Sequence, residues 1–263
     1  MAGRTVGLLH PGQMGAAVGN VLRDQGHQGI WASAGRSDET RERAEATGLA
    51  DVGSIAELVR RSDVIVSVCP PHAAREVARS VAGFHGVFVD ANAVAPATAR
   101  EVAAAVEEGG GTAVDGGIVG PPPRRAGTTR LYLSGPAAAS VAELFAGSAV
   151  DARVVSDEVG AASAVKMAYA AWTKGTAALL LAIRDLAQAE RVEQSLVEEW
   201  RLSLPELPDR SERSARSAEA KAWRWVGEME EIASTFAAAG LPDGFHLAAA
   251  DVFRGMSAEP QRK

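Results

Sequence analysis

The sequence predicts an α/β domain, with a parallel sheet covered by helices on both faces, followed by an all-helical domain built on one long interdomain helix. Three observations predict it. Between residue 4 and about 155, short β-type runs alternate with amphipathic runs of helical spacing. The first of these runs passes directly into a glycine-containing turn, Gly7-Leu-Leu-His10-Pro11-Gly12-Gln13-Met14-Gly15. After Ser156-Asp157 the strand-like runs stop and nearly everything reads as helix. The boundary is therefore expected near 156, giving domains of 1–156 and 157–263 that share a cleft.

In the first domain the strand candidates are Thr5–Leu9, Gly29–Ser33, Val64–Cys69, Gly86–Asp90, Thr112–Asp115, Arg130–Leu133 and Ala152–Val155. Helical spacing occupies Gln13–Asp24, Asp38–Thr47, Ser54–Arg60, Pro71–Ala82, Pro96–Glu107 and Ala137–Phe145. In the second domain helices are expected near 158–190, 193–202, 211–239 and 243–256. Leu204-Pro205-Glu-Leu-Pro208-Asp and Gly240-Leu-Pro242-Asp-Gly244 punctuate them. The first of the four is apolar around most of its circumference, so it is expected between domains or between subunits. A monomer would leave that surface exposed, which predicts a homodimer through the helical domain.

Composition narrows the function. Hydrophobic residues make up 47% and charged residues 23%, enough for a sizeable core. The net charge of −6 argues against nucleic acid or an anionic membrane as partner. The one cysteine, Cys69, excludes an internal disulfide and a Cys-rich zinc site, and the five histidines lack ligand spacing, so no metal is expected. The N-terminal apolar run is too short for a signal peptide. The longest apolar segment, Ala177 to Ile183, is bracketed by Lys174 and Arg184. A cytoplasmic protein without a membrane span is the expectation.

A glycine turn between a strand and a helix lets backbone amides approach a pyrophosphate, so Gly7, His10, Pro11, Gly12, Gln13, Met14 and Gly15 are candidate dinucleotide contacts in a Rossmann-type domain. His10 replaces the first glycine of the G-x-G-x-x-G pattern, and either lines the loop or fills the turn. The second strand runs into Trp31-Ala-Ser33-Ala-Gly35-Arg36-Ser37, with no acid until Asp38. A missing acid disfavours NAD, and Ser33, Arg36 and Ser37 are candidates for holding the 2′-phosphate of NADP(H). The alternative makes Arg36 solvated and Ser37 a helix N-cap. Cys69, Pro70 and Pro71 end a third strand on the nicotinamide side, with Cys69 read as a small hydrophobe rather than a nucleophile. Asn92, beyond Asp90, is a candidate for touching substrate or carboxamide.

Lys166 lies in a helical, otherwise apolar stretch, Gly160-Ala-Ala-Ser-Ala-Val-Lys166-Met-Ala-Tyr169-Ala170-Ala-Trp172-Thr173. Its ammonium needs water, a partner or a ligand. Tyr169 and Thr173 share its helix face and are candidates, through their hydroxyls, for orienting the ammonium or binding substrate. Trp172 is expected in the core, Lys174 at a helix edge or interface, and Glu228 and Glu231 on a solvated face; Arg124 and Arg125 lie in a stiff loop that either walls the site and reaches an anionic substrate or is a solvated surface loop. His246 is read as structural, with a reach toward a partner subunit as the alternative.

Together Gly7…Gly12-Gln-Met-Gly15, Asp90-Ala-Asn92-Ala-Val-Ala-Pro96, Asp115-Gly-Gly-Ile-Val119-Gly120 and Gly160…Lys166 resemble the β-hydroxyacid dehydrogenases. That superfamily includes 6-phosphogluconate dehydrogenase and the imine reductases; the C-terminal half resembles its poorly characterised 6-phosphogluconate-dehydrogenase-like subgroup. The resemblance implies that Lys166 is the general acid/base and that Val119 and Gly120 lie in the substrate loop. Two positions depart from the family pattern: Ala170 stands where Asn is usual and Val119 where Ser is usual. Both lost groups normally hold a substrate carboxylate, so a short β-hydroxyacid is not the expected substrate. An NADPH-dependent reductase of a bulkier carbonyl compound is expected. An imine or enamine reductase and a non-catalytic NADPH-binding sensor are the alternatives.

Overall fold

The computed structural model describes residues 3–258. Eight strands form one sheet: β1 (Thr5–Leu8), β2 (Gln28–Trp31), β3 (Ala50–Asp51), β4 (Val64–Ser67), β5 (Val87–Asp90), β6 (Thr112–Val119), β7 (Thr129–Ser134) and β8 (Val150–Ser156). Their order is β3-β2-β1-β4-β5-β6-β7-β8. Six helices fill the connections: α1 (Gln13–Asp24), α2 (Asp38–Ala46), α3 (Ile55–Arg61), α4 (Ala74–Arg79), α5 (Pro96–Glu108) and α6 (Ala138–Glu143).

Each strand divides its side chains between two cores because successive residues point to opposite faces. Val6, Leu8, Val64 and Val66 join α1, α2 and α6 in one cluster, while Ile65, Phe88 and Ala113 join α3, α4 and α5 in the other. The strand-by-helix alternation in the sequence is thus a sheet covered on both sides. The sheet departs from the all-parallel expectation in one place. β6 and β7 pair antiparallel, with Asp115 opposite Ser134 and Val119 opposite Arg130. Only a short loop joins them, which permits a hairpin and excludes a crossover helix. The two-residue strand β3 was not legible as a strand.

Four helices follow: α7 (Ala161–Ala189), α8 (Glu193–Ser203), α9 (Leu207–Ala238) and α10 (Gly244–Ala258). Helix α9 begins at the Leu207-Pro208 break, because a proline at the first turn gives up an N–H that has no partner there. Two compact units meet between Lys166 and Met167, inside α7 and beyond the change of sequence pattern near 156. The first turn of α7 belongs with the sheet because buried side chains on β6 and β7 bind it, as described below.

In the helical unit, the expectations for Glu228 and Trp172 are corrected. Lys174 pairs with Glu228, which is only 5% exposed and also lies 3.3 Å from Arg224. Glu228 is not on a solvated face, because α9 packs it inward, and Lys174 lies at the interface of α7 with α9. Trp172 is exposed rather than core, with the Arg210 guanidinium 5.4 Å from its ring centroid. His246 is buried beside Phe236, their ring centroids 4.2 Å apart, and burial lowers its pKa. No helix among the described residues is long and apolar enough to cross a membrane.

Candidate active site

The carboxyl ends of the parallel strands carry the candidate residues. The strand order reverses at β1, whose neighbours are β2 and β4, and this switch point is where open α/β sheets leave a crevice for ligands. The turn between β1 and α1 lies there. The Gly12 N–H donates to the His10 carbonyl at 2.8 Å, and Gly12 then caps α1 without a side-chain acceptor. No acidic residue occupies the first turn of α1. Its leading N–H groups have no helical partner and face outward with the positive end of the helix dipole.

The glycines of the turn have different reasons for being glycine. A Cβ on Gly15 would come 2.3 Å from the His10 carbonyl oxygen, and one on Gly7 would come 2.5 Å from Ser62 Oγ and 2.7 Å from Leu58 Cδ2. Gly15 lets the helix close on the turn, and Gly7 lets α3 pack on β1; Gly7 answers to packing rather than to a ligand. Gly12 is the contrast. Its φ of −66° suits any residue, and nothing lies within 4 Å of where its Cβ would be. The protein itself does not require a glycine there, whereas a pyrophosphate lying against the backbone would.

Beside the turn, His10 Nδ1 and Arg36 Nε are both buried without a hydrogen-bond partner in the structure. Burial and then the Arg36 charge push the His10 pKa down to about 4. A guanidinium beyond the end of β2 and an imidazole in the β1–α1 turn, both with unsatisfied atoms, fit an anionic group of a bound nucleotide. Ser37 caps α2, accepting from the Thr40 N–H at 3.4 Å and lying 3.1 Å from its hydroxyl. Ser33 is buried and tied to Asp51, whose carboxylate accepts from the Ser33 N–H at 3.2 Å and the Gly53 N–H at 2.8 Å. Asp51 is an acid that reading along the second strand could not find, because β3 delivers it beside Trp31. Burial raises its pKa, but the Ser33 hydroxyl, these N–H groups and Arg41 outweigh that and hold it below the ordinary value.

At the ends of β4 and β5 the candidates form a buried polar knot. Asn92 is 2% exposed and accepts from the Cys69 N–H at 2.5 Å, while its amide nitrogen donates to Ser67 at 3.3 Å and to Asp90. Both amide protons are thereby used, so Asn92 braces the strand ends, and its amide oxygen keeps one further acceptor position. Pro70 leads into a single 3-10 turn at Pro71–Ala73. Burial pushes the Cys69 thiol up to about 11, with the Asp90 charge adding to it, so it stays protonated at neutral pH.

Lys166 reaches the end of β6. Its Nζ donates to the Ile118 carbonyl at 2.8 Å. The helix comes this close because β6 carries Gly117, where a Cβ would meet the Ala162 carbonyl at 2.8 Å and Lys166 Cβ at 3.0 Å. Val119 is 3% exposed, its side chain packed away, and Gly120 takes a φ of +118° that brings it against the Thr128 carbonyl. The Gly120–Pro123 stretch is stiffened by Thr129, whose hydroxyl donates to the Pro121 carbonyl at 2.6 Å, and Arg124 and Arg125 are exposed beyond it. Tyr169 and Thr173 belong to the helical unit, where Tyr169 is exposed and the Thr173 hydroxyl donates back to the Tyr169 carbonyl at 3.2 Å.

From β1 to β6 the sheet crosses β4 and β5, three strand spacings or about 14 Å. A glycine turn at one end and a lysine at the other thus lie along one edge of the sheet.

Comparison with known proteins identifies the family. The NAD binding domain of 6-phosphogluconate dehydrogenase matches residues 5–150, more than half of the chain, and a domain of unknown function matches residues 187–256. An uncharacterised 28.5 kDa protein of Methanothermus fervidus is 26% identical over 185 residues, 69% of this chain and 70% of that protein. A conserved protein of unknown function, described as structurally similar to 3-hydroxyacid dehydrogenases, superposes with a TM-score of 0.70 at 25% identity, over 96% of both chains. A reductive aminase from Aspergillus terreus, solved with NADPH and ethyl levulinate, superposes with a TM-score of 0.61 at 18% identity, over 97% of this chain and 94% of that one. The chain belongs to the 6-phosphogluconate dehydrogenase-like hydroxyacid dehydrogenase family and is an NAD(P)-dependent oxidoreductase.

Proposed function

We propose that this oxidoreductase uses NADP(H) and reduces a carbonyl compound, with Lys166 as the general acid/base. The observation that carries the reading is the Lys166 ammonium, fixed on the Ile118 carbonyl at the strand edge that also holds the open Gly12 turn. The nicotinamide, when bound, supplies the hydride. The N–H groups at the start of α1 would hold the pyrophosphate, and Arg36 with His10 the 2′-phosphate. Lys166 delivers a proton to the developing alkoxide in reduction and removes it in oxidation.

Val119 and Ala170 replace the polar residues usual in the family, and both are buried and apolar. A substrate carboxylate then has no dedicated partner at those positions, which favours a bulkier, less charged ketone. The same loss supports a second reading, an imine or enamine reductase, and competition between a ketone and its imine separates the two. A homodimer fits the exposed Trp172, Leu179 and Leu186, which recur every seven residues along α7 and form one stripe suited to a second helix.

The test is a fluorescence titration with NADPH and NADH, followed by a substrate screen on wild type and Lys166→Ala. The reading expects micromolar NADPH binding, weaker NADH binding, and loss of the preference in Arg36→Ala. Lys166→Ala is expected to lower turnover on the order of 10²- to 10⁴-fold with cofactor affinity unchanged. Near-full activity in that variant would remove Lys166 from the chemistry.

A further inference from the structure

Asp115 is a buried carboxylate, 2% exposed, in the middle of β6. A strand in that position rarely carries a charge, and burying one costs several kcal/mol unless donors surround it. Four donors do. Asp115 Oδ2 accepts from the Ser134 hydroxyl at 3.0 Å, the Gly160 N–H at 3.0 Å and the Ser163 N–H at 2.9 Å. Oδ1 accepts from the Ser163 hydroxyl at 2.6 Å. Ser134, directly across on β7, in turn accepts from the Ala162 N–H at 3.0 Å.

The start of α7 is therefore capped from the sheet rather than from its own sequence. Three N–H groups that a helix leaves unpaired at its N-terminus, those of Gly160, Ala162 and Ser163, are satisfied by two side chains of the β6–β7 hairpin. The negative charge also lies at the positive end of a helix of 29 residues. Lys166 follows Ser163 by three residues, about one turn, and its ammonium returns to the same strand at Ile118, three residues beyond Asp115. One strand thus fixes both the base of the helix turn and the tip of the lysine. Gly117 lies between the two anchor points and lets the helix backbone rest on the strand.

We infer that Asp115 is a positioning residue for Lys166: by capping α7 from β6 it sets the register and depth of the helix turn that carries the ammonium. The inference rests on the proposed catalytic role of Lys166. A ligand of this kind is worth most when the reacting group must be placed within a fraction of an ångström, and a misplacement near 1 Å costs on the order of 10²-fold in rate.

The replacement Asp115→Asn keeps the shape and can still accept the three Oδ2 bonds, while its amide can donate to Ser163 Oγ. It retains the cap but loses the charge. Asp115→Ala removes the cap entirely. If the alanine variant does not fold, Ser163→Ala, which loses only the Oδ1 bond, replaces it in the series. Turnover and NADPH affinity are measured for each variant in the wild-type and Lys166→Ala backgrounds, together with hydrogen exchange at the amides of Gly160, Ala162 and Ser163.

The expected result is a kcat lowered on the order of 10²-fold in Asp115→Ala and less than tenfold in Asp115→Asn, with NADPH affinity within about twofold of wild type. In the Lys166→Ala background neither change should lower the residual rate further, because the two residues act as one unit. Faster exchange at the three amides should accompany the loss of turnover. The same fold-loss in both backgrounds would overturn the inference, and so would full turnover with the amides unprotected. Near-full activity of Lys166→Ala alone would instead remove the catalytic reading on which the inference stands.

Discussion

Gly12 and Gly15 flank one turn, and alanine at each separates cofactor binding from folding. A Cβ at position 15 would lie 2.3 Å from the His10 carbonyl oxygen, against ordinary contacts that begin at 3.4 Å. Both groups are backbone, so neither can rotate away, and the turn must open by about 1 Å. Overpacking of that size costs about 1–3 kcal/mol. For a chain of this length each kcal/mol lowers Tm by roughly 2–4 °C. At position 12 the backbone, φ −66° and ψ −173°, accepts alanine, and nothing stands within 4 Å. The substitution should leave Tm unchanged or add about 0.4–1 kcal/mol of stability by restricting the unfolded chain. Its methyl group would stand between the pyrophosphate and the N–H groups of α1. Losing one charge-assisted hydrogen bond, worth about 1.5–3 kcal/mol, weakens NADPH binding by about 10- to 150-fold. Thermal melts with and without NADPH, and a fluorescence titration, read both quantities. Wild-type NADPH affinity in Gly12→Ala would refute the placement of the cofactor, and a wild-type Tm in Gly15→Ala would refute the packing argument.

Two further expectations concern stability. Glu228 lies buried against Lys174 and Arg224, so Glu228→Ala should cost about 3 kcal/mol by leaving Lys174 uncompensated, whereas Lys174→Met with Glu228→Leu should recover most of it. Denaturant unfolding of the single and double variants checks the non-additivity. His10 titrates at about 4 in the fold against 6.5 ordinarily, so the unfolded chain binds the extra proton between those values. Stability therefore falls as pH drops from 6.5 toward 4, by about 3 kcal/mol at the limit and roughly 2 after discounting for solvent screening of a partly exposed ring. His10→Gln should flatten that part of the Tm–pH curve, and an unchanged slope would remove His10 as its source.

Local pattern determined much of this protein. Short β-type runs and apolar spacing of period 3.6 placed seven of the eight strands and the helices around them, because strands buried on both faces read as continuous apolar runs and helices buried on one face do not. The glycine turn, the change to helix after Ser156 and the isolated Lys166 were legible for the same reason: each is a departure from its local surroundings. Two-residue β3 left no periodicity to read, so Asp51 arrived beside β2 unannounced. Residues whose meaning lies in distant partners were decided only by the tertiary structure. Asp115 reads as one acid in a glycine-rich run until Gly160 and Ser163, 45 and 48 residues away, converge on its carboxylate. Glu228 suits an exposed helix face until α7 and α9 bury it against Lys174. The partners of Asn92, namely Ser67, Cys69 and Asp90, are brought to it only where the ends of β4 and β5 meet. A polar side chain announces only that it needs partners; which ones it finds is settled when the strands align and their ends meet.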